Sequence, residues 1–103
     1  MITDAVISRL LRDQSGMCWK CGRDLYGGYE CHHAVYSRDV RFQKYLDMAE
    51  NLILLCKDCH FHHGQLLNIY TRRKVWQWKK EHGYLMDAWH WSIPMLIRDR
   101  LDA

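Results

Sequence analysis

The alternation of apolar and polar positions changes period several times along the chain, and each change marks an element. Val6, Ile7, Leu10 and Leu11 recur at helical spacing. Thr3 can cap the helix start, Asp4 suits its first turn and Gly16 supplies a stop, so the pattern predicts an amphipathic helix over residues 3–14. Residues 24–29 (DLYGGY) read as a turn between short strands, with Gly27-Gly28 at a hairpin, and residues 29–36 (YECHHAVY) as the outgoing strand. Phe42, Tyr45, Leu46 and Met48-Ala49 predict a short helix over about 40–49, inside a connecting loop. Residues 52–55 are apolar with no helical gap, the mark of a short buried strand. Helical spacing returns in Leu66, Leu67, Ile69, Tyr70, Val75, Trp76 and Trp78, and Gly83 ends that run. The last stretch holds Leu85, Met86, Ala88, Trp89 and Trp91, then Pro94 opening a helix over 95–101.

The polar residues set into this frame are not those of an ordinary core. Residues 51–64 (NLILLCKDCHFHHG) place an Asn, the apolar strand, a Cys-x-x-Cys pair and three histidines in succession. Cys56 and Cys59 have the spacing that lets two thiolates of one tight turn bind a tetrahedral metal. Cys18-Trp19-Lys20-Cys21-Gly22 repeats it upstream, with a glycine able to take the positive φ of a knuckle turn. Together Cys18, Cys21, Cys56 and Cys59 predict a four-thiolate structural zinc site; the competing readings are disulfides or free thiols. Cys31 is the fifth cysteine and reads as a small, half-buried residue outside that site. His60, His62 and His63 fall on the first turn of a helix, where His60 and His63 share a face and His62 points elsewhere. His32 and His33 stand side by side on the earlier strand, and adjacent strand residues face opposite ways. They meet in one site only where the strand ends, twists or bulges.

Composition narrows the setting. One domain is expected for 103 residues, and a core that small gains from a metal staple. Fifteen Lys and Arg against 12 acids leave +3, compatible with nucleic acid without requiring it. The opening is interrupted by charge too often for a signal peptide and no stretch reads as a membrane span, so a reducing, cytoplasmic home and no membrane partner are expected.

In order, Cys-x-x-Cys, then His-His, then Asn-Leu-x-x-Leu-Cys-x-x-Cys-His resembles the HNH endonuclease family, from Cys18 to about Gly64. The resemblance implies an α+β fold: a zinc-stapled ββα-metal core over 17–64, flanked by an N-terminal helix (1–16) and a helical, Trp-rich C-terminal extension (65–103), in a single nuclease domain. It implies that His33 is the general base, that Asn51 steadies its segment, and that His60 and His32 hold a divalent metal; His63, on the helical face of His60, is a further candidate ligand. Small proteins of this kind imply a bacteriophage or mobile-element source and a bacterial or phage-infected host cytoplasm. Two features depart from the family pattern: no proline follows the His-His pair in residues 34–37, and the loop from His33 to Asn51 is long.

The chemistry of those roles stands without the family name. Phosphodiester hydrolysis needs an activated water, neutralised charge at phosphorus and help for the leaving 3′ oxygen. An imidazole can take the water's proton. A divalent cation, among Mn²⁺, Ni²⁺, Co²⁺, Zn²⁺ or Mg²⁺, can serve the other two needs. Imidazole ligands favour the first four over Mg²⁺, and Glu30, on the strand face of His32, is the nearby carboxylate that would alter this.

Cations for a DNA surface are expected at Arg38 and Arg41, shortly beyond His33, and in the segment 72–80. That segment packs Arg72, Arg73, Lys74, Lys79 and Lys80 around Trp76 and Trp78. An amphipathic core helix with indoles inside is the alternative there, and both readings can hold. The Trp-rich tail either wraps the domain or forms a homodimer or protein interface. The expectation is a metal-dependent DNA endonuclease that nicks or cuts both strands. The alternative is a non-catalytic zinc module on the same scaffold that binds DNA or a host protein.

Overall fold

The computed structural model describes residues 2–35, 39–61 and 69–102. Helix α1 (Asp4–Asp13) begins as expected, with the Val6 N–H donating to Thr3 Oγ1 at 3.2 Å. It ends where Ser15 and Gly16 turn to positive φ, and the Gly16 N–H donates back to Leu11 O at 2.8 Å. Its apolar stripe buries Leu10 completely.

Strands β1 (Tyr29–His33) and β2 (Leu52–Cys56) pair antiparallel, Tyr29 opposite Cys56 and His33 opposite Leu52. Every residue of β2 is buried, which is why its sequence is a continuous apolar run rather than an alternation. Helix α1 packs on β2, and Val75, Met86, Trp89 and Ile93 of the later helices join the same core. Between the strands lie two 3-10 turns, Val40–Phe42 and Ala49–Asn51, with a single helical turn α2 (Gln43–Leu46) between them. The expected helix over 40–49 is therefore broken. Helix α3 (Lys57–Phe61) follows β2 directly; then come α4 (Ile69–Glu81), α5 (Met86–Ser92) and α6 (Met95–Asp102). The class is α+β with a two-stranded antiparallel sheet. Among the described residues no helix is long and apolar enough to cross a membrane.

The turn at Gly27-Gly28 does not join two paired strands. Asp24 pairs instead with Met17 in an isolated bridge that frames the first Cys-x-x-Cys, and β1 turns to β2 for its partner. The apolar β2 offers β1 a buried ladder, whereas residues 26 and 27 are exposed.

Two long polar side chains are built into the core. Gln14, buried after α1, donates from Nε2 to Met17 O and Leu54 O and accepts the Leu54 N–H at Oε1, all within 2.9 Å. Lys79, expected among the phosphate contacts, is fully buried instead and leaves the DNA surface. It lies one turn after buried Val75 on the inner face of α4, and its Nζ donates to Ala49 O at 2.7 Å and to Leu52 O. Burial brings its ammonium down to about 7, with Glu50 opposing. Tyr84, just beyond Gly83, places its ring 4.2 Å from that ammonium and 3.9 Å from the Arg9 guanidinium.

The tail packs onto the domain. Trp89 is buried, lies 6.0 Å from Trp76 between ring centroids, and donates its indole N–H to Tyr45 O at 3.0 Å. Trp91, 70% exposed, stays outside.

Candidate metal centre and histidine pair

The two cysteine pairs, far apart in the chain, meet because Trp19 and Cys56 belong to neighbouring segments. The Trp19 N–H donates to Leu54 O at 3.1 Å, which hangs the first knuckle on β2 just before its last residue, Cys56. Within that knuckle the Gly22 N–H donates to Cys18 O at 3.0 Å and the Cys18 N–H to Arg23 O at 2.7 Å, with Gly22 at φ 77. The exposed ion pair of Arg23 with Asp58, at 2.7 Å, ties the knuckle to α3 and contributes little on its own.

The sulfurs of Cys18, Cys21, Cys56 and Cys59 all lie within 4.8 Å of one another. Cys21 Sγ and Cys56 Sγ are 3.8 Å apart. A disulfide needs about 2.05 Å. A tetrahedral ion with bonds of about 2.3 Å needs sulfurs separated by about 3.8 Å. The cluster thus has the dimensions of a four-thiolate site for a metal such as zinc. Burial opposes ionisation of Cys18, but backbone amides of Cys21, Cys56 and Lys20 outweigh it and bring the thiol down to about 7. Burial, then the sulfurs of Cys56, Cys21 and Cys18, pushes Cys59 the other way. Cys31 stays apart from the cluster, its thiol pushed up to about 11 by burial.

The two adjacent histidines take different partners, and β1 ends at the second of them. His32 is buried, with its ring centroid 6.2 Å from that of His60 on α3 and the two rings steeply inclined at 74°. β1 ends at His33, whose Nε2 lies 2.8 Å from Asp47 Oδ1. Asp47 is the residue that caps the C-terminus of α2. Burial opposes the Asp47 charge, but the hydrogen bond from His33 is foremost among the interactions that hold the carboxyl below its ordinary range.

Asn51, fully buried, connects these pieces. Its Oδ1 accepts the Val35 N–H at 2.8 Å, and its Nδ2 donates to Val35 O at 2.9 Å and to Leu46 O at 2.8 Å. Its own carbonyl accepts the Ala34 N–H at 2.8 Å. One amide therefore holds the backbone beyond His33 and the backbone before Asp47 together.

Of the expected cations, Arg41 is exposed and forked onto Asp39, while Arg73, Lys74 and Lys80 are exposed on α4. Arg72 is half-buried and lines a small cavity of about 20 Å³ with Ala34, Val35, Asn51 and Trp76. Arg38 and His63 lie outside the described residues. Asp47 and Gln14 carry no sequence signal for their roles, since their partners are set by folding rather than spacing. Comparison with known protein families, curated proteins and solved structures returns no match.

Proposed function

We propose that this chain is a metal-dependent DNA endonuclease of the HNH type, stapled by zinc at Cys18, Cys21, Cys56 and Cys59. The observation that carries the reading is the approach of buried His32 to His60 beside a His33 held by Asp47, with Asn51 locking the two segments. His32 and His60, with His63 as a third candidate, would hold the catalytic cation, and a pair of imidazoles suits a borderline divalent ion. That cation supplies charge neutralisation at the phosphate and help for the leaving 3′ oxygen. His33 takes a proton from water, whose oxygen attacks phosphorus as the 3′ oxygen departs. Arg41, Arg72, Arg73, Lys74 and Lys80 supply phosphate contacts that position the strand, and Arg38 joins them in this reading.

Plasmid cleavage with and without divalent metal tests this. His33→Ala is expected to lose about 10²–10⁴-fold in rate with fold and DNA affinity kept. Near-normal cleavage by that variant rejects the base assignment.

A second reading, a non-catalytic module that binds a host protein or a second copy, draws on one observation. Trp91, Met95 and Leu96 on the C-terminal helices are 64–70% exposed, more apolar surface than a minimal nuclease core needs.

A further inference from the structure

The contact between His33 and Asp47 has a chemistry that follows from its geometry alone. The Nε2–Oδ1 separation is 2.8 Å, and the two side chains are only 23% and 14% exposed. A carboxylate can only accept a hydrogen bond, so the proton of that contact belongs to His33 Nε2. The lone pair of the neutral ring then sits on Nδ1. The pairing spans 14 residues of sequence, between the last residue of β1 and the cap of α2. It is not left to the two side chains to find each other, because Asn51 fastens both backbones: Val35, two residues past His33, and Leu46, the residue before Asp47.

We propose that Asp47 is a positioning residue for His33, fixing the ring so that Nδ1 is the atom that takes the proton of the attacking water. The inference rests on the nuclease reading for its catalytic half and on the contact alone for its tautomer. In the step itself the water proton moves to Nδ1, the oxygen forms its bond to phosphorus, and the bond to the 3′ oxygen breaks with its electron pair leaving on that oxygen. The ring, now carrying protons on both nitrogens, is a cation facing the Asp47 carboxylate.

Two measurements on the zinc-loaded full chain decide it. Nitrogen-15 correlation spectra of the histidine side chains are expected to show His33 protonated at Nε2, with a slowly exchanging proton that Asp47→Ala abolishes. A His33 protonated at Nδ1 in the unmodified chain overturns the proposal whatever the variants do. In plasmid cleavage, Asp47→Asn, which keeps the shape and removes the charge, is expected to lower kcat by about 10²-fold or more. KM and melting temperature should stay within about twofold and a few degrees of the unmodified chain. An unchanged kcat, or a loss confined to KM, overturns the positioning role. If the unmodified chain does not cleave DNA at all, the nuclease reading fails and takes the catalytic half with it, while the spectra still decide the tautomer.

Discussion

Asn51 and Val35 exchange two hydrogen bonds, Val35 N–H to Asn51 Oδ1 and Asn51 Nδ2 to Val35 O, so one buried side chain closes a ring on another residue's backbone. The third bond, to Leu46 O, uses the second N–H of Nδ2. Asn51→Ala strands three backbone groups and is expected to cost roughly 2–5 kcal/mol. Asn51→Asp is expected to be at least as damaging, because a charged oxygen replaces the NH₂ that faces two carbonyls. Denaturant midpoints of the two variants check the order, and an Asp variant as stable as the parent would remove the clamp from the account.

Zinc is the second test. Removal by chelator, or Cys56→Ser, is expected to unfold the chain, since thiolate–zinc binding contributes on the order of 10 kcal/mol in small modules. Elemental analysis of folded protein that finds no tightly bound zinc sinks the assignment.

Metal choice for cleavage is the third. With His32 and His60 as the proposed donors, activity is expected to be better supported by Mn²⁺, Ni²⁺ or Co²⁺ than by Mg²⁺ at equal concentration. His32→Asp should move the preference toward Mg²⁺. A titration in which Mg²⁺ is clearly best for the unmodified chain shows the ligand set to be wrong.

The fourth concerns Lys79 and pH. Its folded value of about 7 lies below the roughly 10.4 of an unfolded lysine. Between those values the unfolded chain holds a proton that the folded chain lacks, so this group's contribution to stability rises with pH across that window and is least favourable below pH 7. Compared with Lys79→Met, the unmodified chain is expected to gain up to about 1.4 kcal/mol per pH unit between pH 7 and 10. A stability difference between the two proteins that stays flat from pH 7 to 9.5 contradicts it.

What could be read from residue order and what could not divide along physical lines. Thr3, the apolar run before Cys56, the paired cysteines and Gly83 act within a few positions of themselves, and each stands where spacing placed it. Lys79 was misplaced because a lysine flanked by cations reads as surface, and its buried use depends on carbonyls 27 and 30 residues away. Gln14 reaches 40 residues to Leu54, and Asp47 reaches 14 to His33. Such side chains substitute for backbone partners across the fold, and no periodicity announces them. The hairpin at Gly27-Gly28 failed for a related reason: the turn chemistry was right, but the better-buried ladder lay elsewhere.

The side-chain bonds on β2 have a consequence for how copies of this chain meet in solution. A two-stranded sheet ordinarily leaves a row of unpaired amides and carbonyls that recruits a further strand, the first step of domain swapping and fibril growth. Here β1 occupies one margin of β2, and the other is closed without any third strand: Lys79 takes the Leu52 carbonyl, while Gln14 and the Trp19 N–H take the polar groups of Leu54. Five consecutive buried apolar or thiol residues would otherwise make an effective seed for cross-β assembly. Gln14 and Lys79 thus occupy the places on this margin of β2 where a further strand would bond.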